Sequence, residues 1–395
     1  MALEVSNRRV LSLFAFLAAV LVGASSALLG VCGPFTDVAA DAFCPFVLEI
    51  FTLGITTGTT PTTYDPTSNV TRLQMAAFLS RSVDGVVRRG RRNAPADKFW
   101  IPQDASRLGL TTLGSSPILP RFDGADVWVP NAGSGTVSRV RAGDGKLLET
   151  WTFATGGPSG VSIAMGRVVV AAAVGGSNPG RIFTIDPTQT AGAATLVAST
   201  LGVSPLGIAF DGSRFWTANL GGSVSIVTPQ PAIPWAVSNV NITVGASGPV
   251  GLVFDGSSIW VTDSSAGTIV KLDSTGSILQ TVIIGSGPFY PAFDGLNIWV
   301  PNNASNTVTV LRASNGTILQ TLTGNGLDGP YAVAFDGERI LVTNNSGDSV
   351  SLWKAADLTP LTSVGTGAVS HPTGVCSDGL NFWIALGSAG KLARF

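Results

Sequence analysis

Charge is scarce in this sequence. Only 12% of its 395 residues are Asp, Glu, Lys or Arg, and beyond residue 100 glutamate occurs twice, at Glu149 and Glu338. From residue 101 onward 14 basic and 17 acidic side chains leave a net charge of −3. No basic face is available for neutralising phosphates, so nucleic acid is not expected as a partner. Histidine occurs once, at His371 in "SHPTG", with no acid–base partner that the sequence identifies; a structural loop role fits it better than catalysis. No serine elbow, glycine-rich phosphate loop or Cys/His metal spacing is present. These gaps remove the common catalytic sets before any fold is considered.

Glycine (48 residues) and hydrophobic side chains (45%) take the place of charge. That composition belongs to strands and turns and excludes a disordered chain. The length suits one large domain plus a small one. A repeat then organises the larger part. The aspartate of "FDG" or "SDG" recurs at Asp123, Asp211, Asp255, Asp294, Asp336 and Asp378, and Ala164 takes its place in "PSGVSIAMGRVVVAA". Seven registers spaced by about 42 residues indicate a stacked or radial array. Each unit opens with a proline and a short strand of small residues, such as Gly207 and Ala209, and turns at Asp-Gly. Three further strands follow, exemplified by "IWV", "TVTVL" and "ILQTL". Four short antiparallel strands per period make a β-propeller blade, so the fold class is mainly β, a seven-bladed propeller.

Trp128, Trp216, Trp260, Trp299 and Trp383 stand five residues after the repeat aspartate, with Val169 and Leu341 in the remaining units. Repetition with the blade points to wedges packed between sheets rather than stacking platforms for a ligand. The seventh unit lacks its fourth strand. "LGLTTLGSSPILPRFDG" (108–124) aligns with "LQTVIIGSGPFYPAFDG" (279–295), so residues 108–113 are predicted to complete the last blade and remove its open edge. The propeller is assigned to 108–395, and a monomer is expected.

The strings "ILVTNN", "IWVTDS" and "IWVPNN", each followed by a Val/Thr strand, resemble the YVTN class of propellers. The resemblance implies a fold far more than an activity. Two sets of candidate site residues follow. Asn131, Asn219, Asp263, Asn302 and Asn344 lie eight residues past the repeat position. Gluconolactonase-type and streptogramin-lyase propellers place a divalent metal near the axis, and oxygen ligands from this ring could imitate that; Asn and Asp also end strands simply by forming turns. The loops before the first strands carry Ile118, Leu119, Leu206, Phe289, Tyr290 and Tyr331. With Asn302, Asn303, Asn344 and Asn345 as a rim, and His371 on a neighbouring loop, they form a candidate face for a glycan or a peptide or protein ligand, or ordinary loop packing.

The N-terminal part reads differently. Arg8-Arg9, the apolar run "VLSLFAFLAAVLV" and Ser25-Ser26-Ala27 read as an export signal over 1–27, with an uncleaved membrane anchor as the alternative. After cleavage no membrane span is expected. Residues 28–87 carry Phe35-Thr36-Asp37-Val38, Gly54-Ile55-Thr56-Thr57-Gly58, Tyr64-Asp65-Pro66 and Val70-Thr71-Arg72 in that order. The layout resembles a single S-layer homology (SLH) module of two short helices, and the resemblance implies non-covalent attachment to cell-wall polymer. Leu73-Gln74 stands where that family's motif has Ala-Glu. Thr71, Arg72 and Gln74 are the polymer candidates; Thr71 and Gln74 also fit a capping box, and Arg72 is either an anion ligand or a solvated helix-end charge. Export permits a disulfide between Cys32 and Cys44, while Cys376, in an apolar strand, reads as a buried thiol. "RRGRRNAPADK", within a basic linker at 88–107, would touch anionic envelope polymer or simply be solvated.

The resulting expectation is a secreted or envelope-bound protein whose propeller is a non-catalytic binding or scaffold surface with no cofactor. The alternative is a propeller enzyme of the lactonase or streptogramin-lyase type holding a divalent cation. Calcium or magnesium should raise the melting temperature only in the second case.

Overall fold

The computed structural model describes residues 34–38, 44, 47, 50–51, 56–72, 74–79, 109–242 and 248–395. The chain divides into two compact units, Met1–Trp100 and Ile101–Phe395. The signal segment 1–27, the linker 88–107 and Cys32 lie outside the described residues, and with Cys32 the proposed Cys32–Cys44 pairing.

In the larger unit seven four-stranded antiparallel sheets follow one another along the chain. Six are built from consecutive strands. The seventh joins Pro372–Ser377, Phe382–Leu386 and Lys391–Arg394 to Gly109–Thr112 from the start of the unit. Gly109 pairs with Arg394 and Thr112 with Lys391, and the Leu113 amide donates to the Gly390 carbonyl at 2.8 Å. The last blade is therefore completed by the N-terminal strand, which leaves no unpaired seam between the two ends of the unit.

Burial grades outward across each blade. Second strands such as Asp126–Asn131 and Asn297–Asn302 are buried along their whole length, because both faces meet a neighbouring blade; they read as near-continuous apolar runs for that reason. Fourth strands such as Ile278–Ile283 and Pro360–Gly365 alternate with solvent. First strands carry a bulge just after the opening proline in blades two, three, four, six and seven. In blades one and five a second proline, Pro120 or Pro291, lacks the N–H that pairing needs, and the first strand shrinks to Arg121–Phe122 or Ala292–Phe293. Small residues fit where the inner strands crowd: a Cβ on Gly251 would stand 2.6 Å from the Phe289 carbonyl oxygen of the next blade.

The repeated tryptophans are wedges, as expected: all five are fully buried. Each belongs to a cluster with the second strand of the following blade, for example Trp299 with Ile340 and Val342, and Trp383 with Val127 and Val129. The repeat aspartate also has a role that its turn position did not announce. Its Oδ1 accepts the amides two and three residues on, and its Oδ2 accepts the indole N–H. Those indole bonds measure 2.7 Å at Asp123–Trp128, Asp211–Trp216, Asp294–Trp299 and Asp378–Trp383, and 2.8 Å at Asp255–Trp260. A buried indole N–H needs such an acceptor. Where Leu341 replaces tryptophan, Asp336 Oδ2 instead takes two bonds from Arg339, at 2.8 and 2.7 Å.

In the smaller unit Phe35, Val38 and Val47 form a buried cluster with Cys44, Phe51 and Tyr64 against it. Asp37 ties two segments together by accepting the Tyr64 amide at 2.9 Å and the Asp65 amide at 2.7 Å. Those bonds hold its carboxyl below the usual carboxylate range. Gly58 is required twice over: its φ is +75°, and a Cβ there would run into the Phe35 ring.

Candidate functional site

The smaller unit offers a groove of about 380 Å³. One wall is the loop Thr56 to Thr59, another is Tyr64 to Asn69, and Gln74, Ala77 and Phe78 of the second helix close it. Its polar edge carries the hydroxyls of Thr56, Thr57, Thr59 and Ser68, the amides of Asn69 and Gln74 and the Asp65 carboxylate, with Tyr64 and Phe78 as the aromatic part, a lining suited to a sugar chain. Of the three polymer candidates only Gln74 lines this groove. Thr71 and Gln74 do form the capping box: the Thr71 amide donates to Gln74 Oε1 at 2.8 Å, and the Gln74 amide donates to Thr71 Oγ1 at 3.2 Å. Glutamine thus fulfils the capping role at the position where glutamate is usual. Arg72 is exposed at the start of the helix, outside the groove.

In the propeller the aromatic candidates do meet. Phe289 and Tyr331 have ring centroids 4.8 Å apart, Tyr290 and Tyr331 5.3 Å, and Phe289 and Tyr290 6.1 Å. They belong to one apolar cluster that also takes in Leu119, Val250 and Ala332, with Ile118 and Leu206 packed against it. The opening loops of blades one and five and the first strands of blades three, four and six therefore converge on a single apolar plug. Tyr290 is buried, with 9% exposure, and Phe289 and Tyr331 are half-buried. Burial, reinforced by Tyr331, pushes the Tyr290 phenol well above its usual pKa, so it stays a neutral donor.

The rim differs from the sequence reading. Asn302 and Asn344 are fully buried and border no surface. Asn303 and Asn345 stitch blades together, their amides donating to the Pro330 and Pro372 carbonyls at 3.4 Å. Thr373 does the same at the closing seam, donating to the Pro117 carbonyl at 2.8 Å. His371 sits on the loop entering blade seven with φ +44°. Its amide donates to Asp348 Oδ1 at 2.7 Å and its Nδ1 lies 3.0 Å from Ser388 Oγ. Asp348, held below the usual carboxylate range chiefly by the His371 amide, binds the backbone rather than the imidazole, so no Ser–His–Asp relay is assembled.

The five metal candidates are buried at the ends of their second strands. Each asparagine is bound inside its own blade. Asn131 donates to Thr136 and Ser138, Asn219 to Ser223 and Ser225, Asn302 to Thr307 and Thr309, and Asn344 to Ser349 and Ser351. Asp263 Oδ1 accepts the amides of Gly248, Ser265 and Ala266. One oxygen on each of Asn131, Asp263, Asn302 and Asn344 has no protein partner. These are the atoms a cation would use. Among the described residues no cluster of three or more His, Cys, Asp or Glu side chains is placed to hold a metal. Cys376 is a buried thiol, and burial pushes its pKa up to about 12, which leaves it unreactive.

Comparison with known proteins agrees with this division. Residues 34–76 match the S-layer homology domain. Among curated proteins, none matches the sequence. The propeller resembles a streptogramin B lyase at TM-score 0.61 and 16% identity, over 73% of this chain and 97% of that one. It resembles virginiamycin B lyase from Staphylococcus aureus at TM-score 0.61 and 18% identity, over 73% and 98%. The Cps50 (Swd1) β-propeller domain of Myceliophteria thermophila aligns at TM-score 0.59 and 10% identity, over 72% and 99%. Identities this low speak for a shared fold alone.

Proposed function

We propose that residues 34–76, an S-layer homology domain associated with the cell surface, hold this chain on cell-wall polymer, and that the propeller is a non-catalytic scaffold displayed there. Export through a signal at 1–27 belongs to this reading. The observation that carries it is the groove of Thr56–Thr59, Tyr64–Asn69 and Gln74, which offers hydroxyls, two amides and the Asp65 carboxylate to a glycan. In the propeller the support is the apolar plug around Tyr290 and Tyr331, which leaves the convergence point of the loops without an acid–base pair. Its exposed edge, Phe289 and Tyr331, would bind a glycan or peptide. The test is retention on purified wall sacculi. The full chain should be retained, and Thr57→Asp with Asn69→Asp should reduce retention about tenfold by removing a hydroxyl and an amide donor from the groove and adding two carboxylates beside Asp65. Equal retention of both proteins would remove the anchoring role.

A second reading, a metal-dependent lyase, has one observation in its favour: the unpartnered oxygens of Asn131, Asp263, Asn302 and Asn344. The two structural neighbours titled as lyases add only the fold. A rise in melting temperature with calcium or magnesium, lost in Asp263→Asn, would support it.

A further inference from the structure

The repeat fails most completely in blade two, and the failure leaves a groove. In the five blades that carry tryptophan, the repeat aspartate holds a buried indole in the seam that follows. Here Ala164 and Val169 stand in their places, and a groove of about 340 Å³ opens between blades two and three. That volume is within the range of about 300–1,000 Å³ usual for small-ligand sites. Val169 and Phe215 form its floor, and Met165, Pro231 and Trp235 are among its walls. The Trp235 indole is already fixed, its N–H donating to the Gln230 carbonyl at 3.1 Å and its ring stacked with Phe215 at 5.9 Å and 8°. A preformed aromatic wall of this kind favours a flat apolar guest.

Arg167 supplies the polar end. It stands three residues after the repeat position, as Arg214 and Arg339 do in their blades. Those arginines pair with their own repeat aspartates at 3.4 and 2.7 Å. With Ala164 in the aspartate place, Arg167 turns instead to Asp186, Nη1 to Oδ2 at 3.1 Å, and remains about half exposed. Its Nε and Nη2 have no protein acceptor among the described residues. Blade two therefore lacks its own indole and carboxylate at this seam, and keeps the arginine that would receive the carboxylate.

We propose that this groove binds a small aryl carboxylate, its ring against Met165, Pro231 and Trp235 over the buried Phe215, and its carboxylate on Arg167. The site shares no residue with the wall-polymer groove or the aromatic plug. A ligand-observed NMR titration of the full chain with 2-naphthoate tests it. Saturable binding is expected with a Kd of about 1 mM or tighter, and the neutral 2-naphthalenemethanol should bind roughly tenfold more weakly. Arg167→Gln, at an exposed position, should bring naphthoate down to the level of the alcohol. Ala164→Asp with Val169→Trp restores the repeat pair and should abolish both. If that double variant does not fold, Arg167→Gln decides alone. Equal affinity for acid and alcohol, an unchanged affinity in Arg167→Gln, or no saturable binding would each overturn the assignment.

Discussion

Two seams of the propeller, the one after blade five and the one after blade two, solve the same packing problem differently. After blade five, Trp299 fills the space against Ile340 and Val342 of blade six, and Asp294 holds its indole. After blade two, Val169 leaves that space short, and the filling comes from the other side: Phe215 of blade three is fully buried in the cluster with Val169, Ala171 and Ile208. The other seam without tryptophan behaves alike. Leu341 of blade six meets Phe382 of blade seven, also fully buried, and Arg339 lies 5.3 Å over that ring. Phe215 and Phe382 occupy equivalent positions, four residues after their repeat aspartates, where the other blades have Val or Ile. A blade interface evidently needs one large ring but accepts it from either partner. The two exceptions part over charge. Blade six keeps its aspartate–arginine pair, whereas blade two has lost the aspartate and borders the groove of about 340 Å³.

The largest effect should come from removing a ring where nothing opposite replaces it. Trp299→Ala is expected to cost about 3–5 kcal/mol, and Val169→Ala only about 2 kcal/mol, both read as shifts in urea unfolding. Equal costs would mean that the tryptophans are not the dominant wedges.

Compensation across a seam makes a sharper claim, because it concerns two residues at once. Leu341→Trp alone overfills the sixth seam and should cost about 1–3 kcal/mol. Phe382→Val alone leaves a cavity and should cost roughly 2–4 kcal/mol. Together they rebuild the common arrangement, so the double variant should be more stable than the sum of the two by about 1 kcal/mol or more. Additive costs would show that the two rings occupy separate spaces.

Much of this was legible in the sequence because the period is long and strict. Seven registers gave the blade count, and the match of 108–124 to 279–295 placed Gly109–Thr112 beside Lys391–Arg394. The wedges followed from their repetition. The indole–aspartate bond was hidden because Asp-Gly already has a sufficient local explanation as a turn. The signal for compensation was present, phenylalanine at the +4 position in only the two blades that follow a missing tryptophan, but it appears only when adjacent units are compared in pairs. Asn302 and Asn344 were misplaced at a surface rim because a polar residue at a strand end usually faces water. Here Thr309 and Ser351 on the neighbouring strands satisfy them inside the blade. The groove at the second seam lay beyond reach, since periodicity marks Ala164 and Val169 as substitutions without showing what space they leave.

The smallest effect separates the aspartates by acid. Burial acts to raise Asp211 and Asp255, but the bonds from Trp216 or Trp260 and from backbone amides outweigh it, and both lie below the ordinary value of 3.8. Asp336, although it also carries the Arg339 ion pair at 2.7 Å, is raised, because burial, with the Glu338 charge beside it, outweighs the amides of Arg339 and Glu338. A carboxyl depressed in the folded state contributes stability above its unfolded pKa and loses it as pH falls through the folded value. A raised one does the reverse, its contribution being present below the unfolded pKa and lost as pH rises through the folded value. Between neutral pH and about pH 3, the stability gap between the parent protein and Asp211→Asn should therefore narrow on acidification, whereas the gap for Asp336→Asn should widen. Urea midpoints measured across that range read both slopes. Parallel slopes would show that the indole–aspartate bond makes no electrostatic difference between a seam that keeps its tryptophan and one that has lost it.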